Sequence, residues 1–122
     1  MVQTDISQLS AECTEWRQIL RNYREEFQDC KKVLQQTCKK DLAKNLLQDV
    51  EHFDNQFHIQ LINIHDLKQS IKAHDRTIQF EKDNISETSY VVHETLLNEF
   101  LSLENTLQEL RAEFNAFVNK TT

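Results

Sequence analysis

The 122-residue chain contains no glycine and no proline. Average usage is roughly 7% Gly and 5% Pro, so about a dozen such residues are missing. Primed hairpin turns need Gly or Asn at positive φ. Phosphate-cradling loops need Gly so that the backbone can approach the ligand. A Rossmann fingerprint, a P-loop and a Gly-rich kinase loop are excluded outright, and a sandwich or barrel with many tight turns is excluded in practice. What remains is a chain of helices joined by short polar connections.

Hydrophobic period supports that reading. In the first third Ile6, Leu9, Cys13, Trp16, Leu20, Tyr23, Phe27, Cys30 and Leu34 alternate by three and four, a heptad seam held over four repeats. Asp5 is the expected N-cap, and Lys39 and Lys40 fall where the negative end of the helix dipole should lie. The second seam is Leu46, Val50, Phe53, Phe57, Gln60, Ile64, Leu67, Ile71, His74 and Ile78, with Asp41 as N-cap and Gln60 and His74 as polar intruders. After Asp83-Asn84, Ser86 caps a third helix. Ile85 and Tyr90 have the spacing of a hydrophobic staple. This seam runs His93, Leu96, Phe100, Leu103, Leu107, Leu110, Phe114, Phe117. The expected helices are 5–38, 41–82 and 86–119.

Long helices on short connections lie antiparallel. The expected fold is all-α, an antiparallel up-down-up three-helix bundle with coiled-coil-like packing, in one domain spanning 1–122. Folding the chain about its turns places Trp16 beside Ile64 and Leu103 to Leu107. It sets Gln60 against Leu20 and Leu110. His74 comes level with Ile6, Leu9, His93 and Leu96, and Cys13 falls one or two layers away. The architecture resembles a single spectrin-like repeat, which also has three long helices and an aromatic on the first. Trp16 is the one residue matched, and the resemblance implies a fold and no function.

The formal net charge is −6, which opposes the basic footprint that nucleic acid requires. No run reaches the eighteen or so apolar residues of a spanning helix, so no membrane partner is expected. The opening residues MVQTDISQLS have neither a basic nor an apolar region of a secretory signal. Cys13, Cys30 and Cys38 are an odd set without a CxxC pair and read as reduced thiols, which gives a cytoplasmic expectation. Charge sorts by end. Lys31, Lys32, Lys39, Lys40, Lys44, Arg111 and Lys120 gather at the first turn. Asp5, Glu12, Glu15, Glu81, Asp83, Glu87, Glu94 and Glu99 gather at the other end. Helix-dipole complementation explains most of this.

Enzymatic patterns are sparse. No HxxxH, HxxxE or ExxH is present, so the helical di-iron spacing is missing. No metal set and no cofactor is assigned. His74 and His93 share a level on two seams. They read as buried imidazoles bonded to backbone or to Asp75 and Glu94, with a metal- or small-ligand-binding bundle as the alternative function. Cys13 and Cys30 lie on the seam and should be inert, whereas Cys38 sits among lysines that lower a thiol pKa. The expected role is a non-catalytic protein–protein interaction or scaffold module. Its site lies in the middle of the second helix. Ile59 and Ile62 project away from the seam between His58 and His65, where a solvated face should carry Glu and Lys. The partner is another protein or a second copy of the chain. The competing reading is that another part of the same chain covers this face.

Overall fold

The computed structural model describes residues 6–38, 44–81 and 84–121, with the side chains of Cys38, Asn45 and Thr121 left aside. The chain folds as a three-helix bundle: α1 (Ile6–Cys38), α2 (Lys44–Phe80) and α3 (Glu87–Thr121). The helices have 33, 37 and 35 residues and are each roughly 50–55 Å long at 1.5 Å per residue. The expected caps Asp5 and Asp41 lie outside the described residues, as do Lys39, Lys40 and Asp83.

Isolated helices of ordinary composition are marginal in water, and the shared seams supply what they lack. The seam residues of all three helices form one core, with Phe27, Phe57, Leu20, Ile64, Ile71, Ile78 and Leu107 fully buried. Each such side chain is worth about 1.5–3 kcal/mol when removed from water. Towards the first turn the core is a phenylalanine cluster. Phe57 stands edge-on to Phe114 at 4.9 Å between ring centres and 5.5 Å from Phe27, and Phe53 meets Phe114 and Phe117 at 5.4 and 5.2 Å.

These pairings also give the topology. Phe27 faces Phe57 and His74 faces His93, so α2 runs against both neighbours. Glu12 reaches His93, Tyr23 reaches Glu104, and Glu26 reaches Arg111, so α1 and α3 run parallel. The α1–α3 seam is bridged largely by polar groups. The Tyr23 hydroxyl donates to Glu104 at 3.1 Å and accepts from Gln108. Arg111 binds both carboxylate oxygens of Glu26 at 2.5 and 2.7 Å while its guanidinium lies 5.3 Å from the Tyr23 ring centre.

The register between α1 and α2 differs from the expected one by about a turn. A register with Gln60 level with Leu20 sets Phe57 opposite Tyr23, whereas its ring packs against Phe27. The ring contacts of Trp16 are with His93 at 4.7 Å and Phe100 at 6.0 Å, both nearer the start of α3 than Leu103 to Leu107, Phe100 by about one to two turns and His93 by about three to four. Gln60 is buried and accepts a hydrogen bond from Asn63 at 3.1 Å. Arg111, one of the cations gathered towards the first turn, is committed to Glu26.

The second turn is capped as its sequence implies. α2 ends at Phe80, and the Glu81 N–H donates to the Ile78 carbonyl, a tightened last turn. Ser86 is the N-cap of α3. Its Oγ accepts the Ser89 N–H at 3.1 Å, and its carbonyl accepts the Tyr90 N–H. Ile85 packs against the core beside it. Glu81 reaches across to accept the Ser89 hydroxyl at 3.0 Å and the Ser86 N–H at 3.4 Å.

Candidate functional site

Two places in the bundle depart from a plain seam. The first is the outer face of α2. A helix turns by about 100° per residue, so Ile59 and Ile62 cannot join the stripe that carries Phe57, Gln60 and Ile64. They stay 46% and 47% exposed, and His52, His58 and His65 around them are exposed as well. No described part of the chain covers the two isoleucines beyond that. Ile59 falls on the same stripe as Asn63, Asp66 and Ser70. Those three line an open groove of about 520 Å³ between α2 and α3, closed on the other side by Glu99, Ser102 and Thr106. Ile59 therefore lies in line with a groove whose walls mix these polar side chains with Leu67 and Leu103. Phe80 is the most exposed large apolar side chain described at 84%, followed by Val91 and Leu101 at 58% and 51%. None of these lies on a seam, and that is the signal that marks them.

The second place is a polar layer near the second turn. His74 and His93 are 5% and 6% exposed. Their imidazoles do not turn to Asp75 and Glu94, as expected, but to each other. His74 Nε2 lies 2.9 Å from His93 Nδ1, and His93 Nε2 lies 2.8 Å from Glu12 Oε1. A carboxylate only accepts, so His93 Nε2–H donates to Glu12. In the neutral imidazole Nδ1 then accepts from His74 Nε2–H. Trp16 covers His93 from the apolar side. Cys13, expected one or two layers off, is fully buried in this same layer, and its Sγ and one nitrogen of each histidine lie within 4.8 Å of one another.

The electrostatics follow from burial. Desolvation pushes the Cys13 thiol up to about 12, and Asp75 and Glu12 push it the same way. Cys30, partly buried, is pushed up to about 11 first by burial and then by Glu26 and Asp29. Both thiols are thus protonated, as their seam positions imply. The Cys38 side chain lies outside the described residues. His74 is held below its ordinary value first by burial and then by His93, against a smaller opposite pull from Asp75 and Glu81. Hydrogen bonds from Ser86 and Ser89 hold the Glu81 carboxyl below its ordinary range.

Acid stability should therefore fall in two stages in metal-free protein. His74 resists in the folded state a proton that the unfolded chain accepts. Its loss begins as pH drops below 6.5 and is complete once the folded pKa is passed. The groups facing it are His93, Cys13, Glu12, Asp75 and Glu81. The Glu81 contribution is present above 4.5 and is lost as pH falls through its depressed value. Urea midpoints measured from pH 7.5 down to pH 3.5 should decline in both windows. Glu81→Gln should flatten only the lower one. A midpoint constant between pH 7 and 5 would contradict the upper stage.

A basic group also emerges that the end-sorted charge pattern hid. Arg17, Arg21 and Arg24 of α1 face Lys68 of α2 closely enough to hold its pKa down, after the larger effect of burial. The Nε atoms of Arg17 and Arg24 are buried without a hydrogen-bond partner among the described residues.

No described helix is long and apolar enough to cross a membrane. Comparison with protein-family models, curated proteins and solved structures finds no match to this chain.

Proposed function

We propose that the protein is a non-catalytic helical interaction module. It associates with a second copy of itself through the outer face of α2, with Ile59 and Ile62 at the centre and His58 and His65 at the rim. The observation that carries this reading is the exposure of two isoleucines, one turn apart, in the middle of the longest helix. On a solvated face those positions favour charge, and a contiguous apolar surface rimmed by polar groups marks an interaction site. A C2 dimer would set the same face of each copy against the other, so that one apolar pair meets its symmetry mate. The two described thiols, both held protonated, are poor nucleophiles. The negative net charge argues against a nucleic acid partner. A reducing compartment, the cytoplasm, suits described cysteines that are unpaired.

Light scattering over a hundredfold concentration range tests the reading. The wild-type chain should show a dimer that dissociates on dilution. Ile59→Lys/Ile62→Lys should keep its helicity and weaken association by on the order of 3–6 kcal/mol, at least a hundredfold in Kd. Association unchanged in that variant would remove this face from consideration. A monomer at every concentration would overturn self-association.

A further inference from the structure

The polar layer at the second turn draws one side chain from each helix: Cys13 from α1, His74 from α2 and His93 from α3. All three are buried, and one donor atom of each lies within 4.8 Å of the other two. Histidine and cysteine are individually common inside proteins. Three such donors converging on one point from three separate helices, in a core that is mostly apolar, call for more than packing.

We propose that Cys13, His74 and His93 form a binding site for a zinc-class divalent ion, with Glu12 as the carboxylate that orients His93. Four observations argue for it. The donor set is one sulfur and two imidazole nitrogens, which suits zinc and its neighbours and does not suit Mg²⁺ or Ca²⁺, whose ligands are oxygens. The two imidazoles meet nitrogen to nitrogen at 2.9 Å. A tetrahedral ion with Zn–N near 2.0–2.1 Å holds such nitrogens about 3.4 Å apart, so the pair needs to open by only about 0.5 Å. Glu12 already binds the outer nitrogen of His93 at 2.8 Å. That fixes the tautomer and leaves Nδ1 as an inward lone pair, the arrangement in which metal-ligating histidines are usually held. Finally, Glu12 and the buried Asp75 act electrostatically on the Cys13 sulfur. They supply negative charge beside a site that would hold a dication.

Binding balances as follows. The ion displaces the Cys13 thiol proton to solvent and takes the thiolate. His74 Nε2 gives up its hydrogen bond to His93 and becomes a ligand, its ring proton moving to Nδ1. Three protein donors leave one position for water. With one ligand on each helix, the ion ties together α1 and α3, whose own contacts are mainly polar bridges, and binding free energy becomes folding free energy. This site is separate from the Ile59–Ile62 face, and either can fail without the other.

The test uses the full chain, expressed without a histidine tag, reduced, chelator-treated and dialysed. Co²⁺ and Zn²⁺ alone are the probes. Titration with Co²⁺ should saturate at one equivalent, with tetrahedral d–d absorption and a thiolate-to-cobalt charge-transfer band, and Zn²⁺ should displace it. The urea midpoint should rise with Zn²⁺ and return on adding chelator. Cys30→Ser/Cys38→Ser, which leaves Cys13 as the sole thiol, should keep the charge-transfer band. His58→Asn/His65→Asn should keep the stoichiometry. Cys13→Ser should lose the band and bind Zn²⁺ at least a hundredfold more weakly. A folded wild-type chain without the band overturns the proposal. So does loss of the band in Cys30→Ser/Cys38→Ser, or loss of binding in His58→Asn/His65→Asn. None of these three readings depends on Cys13→Ser folding.

Discussion

Phe57→Ala is expected to lower the unfolding free energy by about 3–5 kcal/mol, the largest loss from any single truncation considered. Phe57 is fully buried and its ring meets Phe27, Phe53 and Phe114. The substitution removes transfer free energy and leaves a cavity between three long helices. Those helices cannot collapse locally without shifting their whole register. A chain of this size has roughly 5–15 kcal/mol in all, so the variant should unfold at markedly lower urea and near the growth temperature. Ile59→Ala, on the same helix but half exposed, should change the same midpoint by about 0.5 kcal/mol or less in the monomer. Similar losses at the two positions would contradict the assignment of Phe57 to the core and Ile59 to the surface.

The contrast between those two residues shows what was legible in the sequence. Period alone distinguishes Phe57 from Ile59, because the burial stripe of a helix is set by geometry and no tertiary information is needed. The three helices, the Ser86 cap and the outward set of Ile59 and Ile62 follow from that. Register does not. A seam of period 3.5 superposes on itself when one helix slides a turn past its neighbour. Tyr23 and Phe27 were therefore equally good partners for Phe57, and the choice depends on the complementarity of particular ring shapes. The same degeneracy placed Cys13 a layer or two from the histidines. Glu12 was hidden for a different reason. It lies 81 positions from His93 and reads as one more surface carboxylate until the parallel alignment of α1 and α3 is known.

The histidine pair is expected to behave as a unit. In metal-free protein His74→Leu should cost about 1–3 kcal/mol, because His93 keeps Glu12 but its buried Nδ1 loses its donor. His93→Leu should cost a similar amount, with His74 Nε2–H orphaned in turn. The double variant removes both polar groups together and fills the layer with apolar volume. It should cost less than the two single losses added, with a coupling of about 0.5–3 kcal/mol. Urea unfolding in the presence of chelator measures all three. Additivity to within about 0.3–0.5 kcal/mol would mean that the 2.9 Å approach carries no energy.

The division of labour among the seams has a kinetic consequence. α2 shares apolar contacts with the helix before it and the helix after it, so each of those pairings closes only a short connection and loses little chain entropy. The α1–α3 seam is non-local and relies on side-chain bridges such as Glu26–Arg111. Two hairpins nucleated on α2 are expected to form early, with the outer helices finding one another last. Sequence-local topology of this kind folds on the microsecond-to-millisecond scale, roughly, and exposes little unpaired surface on the way. Polar bridges that form after the barrier should slow unfolding rather than speed folding, so Glu26→Gln is expected to raise the unfolding rate and leave the folding rate nearly unchanged in stopped-flow urea jumps. The bridges act as a latch on a structure that α2 has already assembled.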